Sequence, residues 1–241
     1  MAATGHGGFW YWVARVGFAG PMVSGMEIQA FGVERLPAGG AVLVCNHACD
    51  ADPGVLMRGL PIPLSFLAAP FMGRLPVFRT LLRWAGSVAI GAQRPVPWRA
   101  QVRALLGRGR KLVVFPEGQR WLLAQDFEAG LAEFHPGFAA FAHDARVPVV
   151  PLVIARLETK IVPFRTSAIV RRLSGNPEEL LRTKQVLRYL RCAIHVLDPI
   201  PVSAFAERPK NEAVPWLMEE ACSRMADALP HPTQGASRTA T

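Results

Sequence analysis

Acidic residues are scarce in this chain. Its 18 Asp and Glu stand against 27 Lys and Arg, for a net charge of +9 and a pI near 10.2. The cations are mostly Arg and are scattered, with no long basic tail, which argues against a nucleic-acid-binding arm. Neither zinc-finger spacing nor an RNP-type aromatic signature occurs, so nucleic acid is not an expected partner. Cysteine is also sparse. Cys45, Cys49, Cys192 and Cys222 include no C-x2-C with a second ligand pair, so no metal ligand is assigned. Disulfides are not expected, and a reducing compartment is the default. Residues 8–24 (GFWYWVARVGFAGPMVS) are apolar, but too short and too broken by Gly and Pro to read as a membrane span. They also lack the basic n-region and cleavage site of a signal peptide. Gly-x-Ser-x-Gly is missing, which removes the nucleophile elbow of serine hydrolases. There are no internal repeats.

What is present is apolar. Hydrophobic residues make up 51% and the mean hydropathy is +0.21, high for a freely soluble protein. A chain of 241 residues suffices for one large domain with a sizeable core, or two small ones. A basic surface on an apolar chain suits an anionic partner such as nucleic acid, anionic lipid or a phosphorylated substrate. Trp10, Tyr11 and Trp12 beside Arg15 suit a helix lying in a lipid headgroup layer, although a helix packed on the domain would carry the same letters.

Hydrophobic patterning alternates strands with helices. Strands are expected at 26–32, 41–45, 64–69, 86–91, 111–115, 147–154 and 192–197. Pro148 and Pro151 place the 147–154 strand at an edge or a strand end. Helices are expected at 53–60, 76–85, 98–106, 177–190 and 212–229, the last interrupted early by Pro215. The alternation indicates an α/β fold, a single domain with a largely parallel central sheet flanked by helices. The division is an N-terminal apolar or interfacial segment at 1–25, a domain at 26–229 and a disordered tail at 230–241.

The most informative stretch is Ala41–Asp52, AVLVCNHACDAD. Its apolar run ends on Asn46 and His47, and Asp52-Pro53 has the form of a helix start, an N-cap aspartate before a first-turn proline. On one continuous helix, residues five apart lie about 140° apart, so His47 and Asp52 meet only if His47 sits in a preceding turn. A carboxylate on one imidazole nitrogen would free the other to take a proton. A capping aspartate and a hydrogen-bonded strand-end histidine would look the same, and Asp50 is an alternative partner for His47. Seventy residues on, Phe115-Pro116-Glu117-Gly118-Gln119-Arg120 follows another strand. In a parallel sheet both clusters reach the carboxyl-end edge, where ligands bind. Gly118 would admit a ligand close to the backbone, and Arg120 offers a fork for phosphate. A structural turn with a surface arginine is the plainer reading.

Asn46-His47-x4-Asp52, Phe115-Pro116-Glu117-Gly118, Phe134-His135-Pro136-Gly137 and Val147–Pro151, in this order and spacing, closely resemble the glycerolipid acyltransferases of the lysophosphatidate acyltransferase family. The resemblance runs from about Met26 to Ile154. It implies acyl transfer from a thioester, acyl-CoA or acyl-carrier protein, to a hydroxyl of a lysophospholipid such as 1-acylglycerol-3-phosphate, without a cofactor or metal. His47 would be the general base and Asp52 its orienting partner. Asn46, Arg94, Glu117, Gly118 and Arg120 would bind substrate, with Arg120 facing the phosphate. The location implied is peripheral or monotopic on the cytoplasmic face of a membrane, against an anionic surface. Two positions depart from the family pattern: the basic residue after Gly86–Gly91 is displaced to Arg94, and the residue after Glu-Gly is Gln119 rather than Thr. The segment 121–131 reads either as a cover over the site or as a surface loop. A thioesterase and a non-catalytic lipid-binding protein of the same fold are the alternatives.

Overall fold

The structure, a computed structural model, describes residues 7–73, 76–93, 96–118, 130–163 and 185–229. Its centre is a seven-stranded sheet: β1 (Glu27–Phe31), β2 (Ala41–Cys45), β3 (Leu64–Ala68), β4 (Val88–Ala89), β5 (Lys111–Val114), β6 (Val149–Pro163) and β7 (Gln185–Val196). The spatial order is β1-β7-β6-β2-β5-β3-β4. Every pairing is parallel except β6 with β7. Among the described residues the helices are α1 (Gly7–Ala14), α2 (Gly20–Met22), α3 (Asp52–Gly59), α4 (Pro76–Ala85), α5 (Trp98–Gly107), α6 (Gly137–Ala145) and α7 (Lys210–Ala228), with a π-helical turn Arg15–Ala19 joining α1 to α2.

β2 is central because all its side chains are apolar and both faces are covered. Leu43 and Cys45 join Val113, Leu152 and Ile154 beneath α3 and the N-terminal helices, where Val55, Leu56, Tyr11 and Ala14 complete one core. Val42 and Val44 point the other way, into a second core built with Val102 and Leu106 of α5, Phe138 and Phe141 of α6, and Leu217 and Met225 of α7. Gly40 permits the tight entry into β2, because a Cβ there would collide with the Leu106 carbonyl oxygen. The Lys111 ammonium donates to the Ala38 carbonyl at 2.9 Å, holding that turn against β5.

Several expected elements differ. The strand expected at 147–154 is the fifteen-residue β6, and it lies between β2 and β7 rather than at an edge. Pro148 precedes it, so the strand-end reading fits Pro148; Pro151 lies inside the strand, opposite Val44 of β2 and just before the β7 ladder begins at Leu152↔Val196. Residues 185–190, read as the end of a helix, are strand, because β7 pairs along β6 as far as Pro163↔Gln185. The expected strand at 86–91 shortens to Val88–Ala89. Helix α7 runs through Pro215, which forfeits the backbone bond that position would otherwise donate to Asn211. The 177–184 part of the expected helix, residues 121–129 of the expected cover and the expected 230–241 tail lie outside the described residues.

Candidate active site

Parallel pairing brings the carboxyl ends of β2 and β5 side by side, and the two polar clusters meet there. β2 ends at Cys45 and α3 begins at Asp52, leaving His47 in the turn between them. Its Nδ1 lies 2.8 Å from Asp52 Oδ2. Asp52 is fully buried, whereas the His47 side chain is 14% exposed, so the imidazole has one nitrogen on the carboxylate and an edge open to solvent. The Phe115 ring stacks on the imidazole, with centroids 4.3 Å apart and planes 23° apart. Asp50, the alternative partner, is exposed as a residue, and its Oδ1 accepts the Cys49 thiol at 3.4 Å.

Asp52 is the first residue of α3, and Ala51 occupies the cap position. The expected N-cap role therefore changes. The Asp52 carboxylate turns back and accepts the backbone N–H groups of Ala48 at 2.8 Å and Cys49 at 2.9 Å on Oδ2. These bonds close the turn, hold His47 in register and satisfy a buried charge. Its other oxygen, Oδ1, accepts the hydroxyl of Tyr189 on β7 at 2.7 Å. Burial first, and the Asp52 charge second, push that phenol well above its ordinary value, so Tyr189 stays a donor.

Two residues expected to bind substrate are engaged with backbone. Asn46 imitates a strand residue: its Oδ1 accepts the Ile154 N–H at 2.8 Å, and its Nδ2 donates to the Ile154 carbonyl at 3.2 Å. This extends the β2–β6 ladder past the end of β2. Glu117 is buried, with Oε1 accepting the His47 N–H at 2.8 Å and Oε2 accepting the Ala132 N–H at 2.9 Å. It clamps the His47 backbone to the segment before α6, and burial raises its carboxyl above the ordinary value. Gly118 has φ of +67°, and a Cβ there would press on the His135 ring at 3.2 Å, so the crowding group is a histidine and not a ligand. Arg94 and Arg120 lie outside the described residues.

Sequence reasoning missed Tyr189, and the only signal for it was its aromatic letter in a segment of mixed polarity. It also missed the contact from Cys49 Sγ to the Leu187 carbonyl at 2.9 Å, which ties β7 to the same turn. A cavity of about 240 Å³ lies against this turn, lined by Met22, Met26, Ala51, Val186, Leu187 and Arg188 among others. On the N-terminal helices Phe9, Trp12 and Val16 are exposed, Trp10 stacks on Trp84 with centroids 4.9 Å apart, and Arg15 donates to the Arg58 carbonyl at 3.0 Å. Among the described residues no helix is long and apolar enough to cross a membrane.

A "Probable 1-acyl-sn-glycerol-3-phosphate acyltransferase" of Mycoplasma pneumoniae is 29% identical over 55% of this chain and 50% of its own length. A "Lyso-ornithine lipid O-acyltransferase" of Pseudomonas aeruginosa is 28% identical over 79% of this chain and 69% of its own. The chain thus spans about half the length of the first of these relatives. The solved structure of the 1-acyl-sn-glycerophosphate acyltransferase PlsC from Thermotoga maritima shares the fold, with a TM-score of 0.57 over 92% of this chain and 87% of that one at 16% identity. The Acyltransferase family matches residues 27–155, more than half of the chain and the span that holds β1 to the start of β6 with His47, Asp52 and Glu117, and the chain belongs to that family.

Proposed function

We propose that this chain is an O-acyltransferase that moves a fatty acyl group from an acyl-CoA or acyl-carrier-protein thioester to a hydroxyl of a lysophospholipid such as 1-acylglycerol-3-phosphate. The observation that carries the reading is the His47–Asp52 contact of 2.8 Å at a solvent-facing edge of the sheet. With Nδ1–H directed to Asp52, the Nε2 lone pair is free to accept the acceptor's hydroxyl proton. The oxygen attacks the thioester carbonyl, the tetrahedral intermediate collapses with cleavage of the C–S bond, and the imidazolium returns its proton to the departing thiolate. Asp52 fixes the tautomer and stabilises the imidazolium. No acyl-enzyme forms, since the acceptor itself is the nucleophile.

In this reading Asn46 and Glu117 position His47, while Arg94 and Arg120 contact the anionic group of the acceptor. The cavity beside the turn gives an apolar segment of a substrate somewhere to lie. Exposed Phe9, Trp12 and Val16, together with the net charge of +9, support peripheral or monotopic seating on an anionic membrane surface, which we place on the cytoplasmic face. The acceptor is tested with labelled acyl-CoA and a panel of lysophosphatidate, other lysophospholipids and lyso-ornithine lipid, beside a control without acceptor. Transfer to a lysophospholipid supports the proposal. Thioester cleavage without acceptor would replace it with a thioesterase, and silence with both CoA and carrier-protein donors would leave a lipid-binding protein.

A further inference from the structure

We infer that Tyr189 is a positioning residue for the His47–Asp52 pair, its phenol holding the second oxygen of Asp52 so that the carboxylate stays ionised and turned to the imidazole. This rests on the acyl-transfer reading above. A fully buried carboxylate favours its neutral form unless donors compensate. Oδ2 has such donors in Ala48, Cys49 and His47, and Oδ1 takes the Tyr189 hydroxyl at 2.7 Å. Tyr189 is only 1% exposed, so water does not stand in for that donor. β7 is also fixed to the turn by the Cys49–Leu187 contact, which keeps the phenol on target.

A neutral or wrongly turned Asp52 would neither orient the imidazole nor stabilise its charged form. Without the phenol, the pair needs a higher pH to reach its working state of ionised carboxylate and neutral imidazole. Either consequence, a carboxylate that keeps its proton or one that pulls harder on the imidazole proton, moves the acidic limb of the rate profile upward. Among the described residues the other titratable groups around Asp52 are Cys45 on β2, Cys49 and Asp50 in the turn, Glu117 after β5 and Cys192 on β7. Burial pushes these three thiols upward, so they stay neutral where the limb is read.

The test is the pH profile of acyl transfer for Tyr189→Phe, which keeps the ring and removes the donor. The expected result is a fall of about tenfold to a hundredfold in kcat at neutral pH, with KM for the acceptor within about twofold and the acidic limb displaced to higher pH. The chain contains only two tyrosines, Tyr11 and Tyr189. In a Tyr11→Phe background, 3-fluorotyrosine therefore changes this hydroxyl alone into a stronger donor, and the limb should move to lower pH. That arm also carries the test if Tyr189→Phe fails to fold. A rate lowered equally at every pH, or a limb that ignores both changes, overturns the inference. The downfield imidazole N–H resonance of His47 supplies a readout without substrate: it should shift between wild type and either altered protein. If no acceptor is acylated, that resonance still decides the role of Tyr189, and an unchanged signal overturns it.

Discussion

Glu117 separates two accounts of this site, because the sequence suggests a substrate contact and the structure shows a backbone clamp. Glu117→Gln keeps the shape of the side chain and removes its charge. The amide oxygen can still accept one of the two N–H groups now served, at 2.8 Å from His47 and 2.9 Å from Ala132. The amide NH2 then faces the other N–H, donor against donor. One hydrogen bond to a charged acceptor contributes about 1.5–3 kcal/mol. Relief of the buried charge, whose cost shows in the raised Glu117 carboxyl, offsets part of that. A net loss of about 2 kcal/mol follows, or about 4–8 °C in Tm for a chain of this size. Because the folded chain holds the Glu117 proton more tightly than the unfolded one, this group favours folding on the acid side, and that contribution disappears as pH rises through its folded value. Glu117→Gln should flatten that slope. Urea unfolding across pH measures the stability, and steady-state kinetics should show a fall in kcat with KM for the lysophospholipid nearly unchanged. Stability within about 0.5 kcal/mol of wild type, combined with a KM raised more than about tenfold, would refute the clamp and restore a substrate-binding role.

Other consequences follow from the same contacts. Asp52→Asn keeps the volume but presents the wrong partner to Nδ1, so kcat should drop about a hundredfold or more; an active variant would sever His47 from its carboxylate. Asn46→Ala removes both bonds to Ile154 and should cost about 1–3 kcal/mol in denaturant unfolding, with binding of acceptor unaffected. In thiol labelling of the folded protein Cys222 should react first, since Cys45, Cys49 and Cys192 are buried and the Cys192 thiol is pushed up to about 12. Replacing Phe9 and Trp12 together by Ser should weaken sedimentation with anionic vesicles by about tenfold to a hundredfold, without changing the melting temperature by more than a degree or so.

The heart of the fold was legible because β2 declares itself twice. An apolar run ending abruptly in Asn-His, followed by Asp-Pro, states both the end of a buried strand and the start of a helix, and the structure opens α3 at Asp52. The partner of His47 was legible for the same reason, since a turn before the helix is what lets residues five apart meet. The backbone partners of Asn46 and Glu117 were not. A polar letter at a strand end signals a site, but whether its oxygens face a ligand or a neighbouring N–H depends on Ile154 and Ala132, whose positions come only from packing. Tyr189 was hidden by tertiary override: residues 177–190 carry Leu and Arg at helix-like spacing, and the part from Gln185 onward becomes strand because β6 offers it a long antiparallel edge. Pro151 misdirected the placement of β6, because proline marks where a ladder stops, and here the ladder with β7 stops within an interior strand.

The most direct test of the account is a rapid-quench comparison of wild type and His47→Ala with labelled acyl-CoA and lysophosphatidate, both proteins first shown to unfold at similar temperatures. The account predicts acylated product from wild type without any protein-bound acyl group, and a fall in rate of about a hundredfold or more in His47→Ala. A labelled acyl-protein on the path, or transfer by His47→Ala at the wild-type rate, would contradict it.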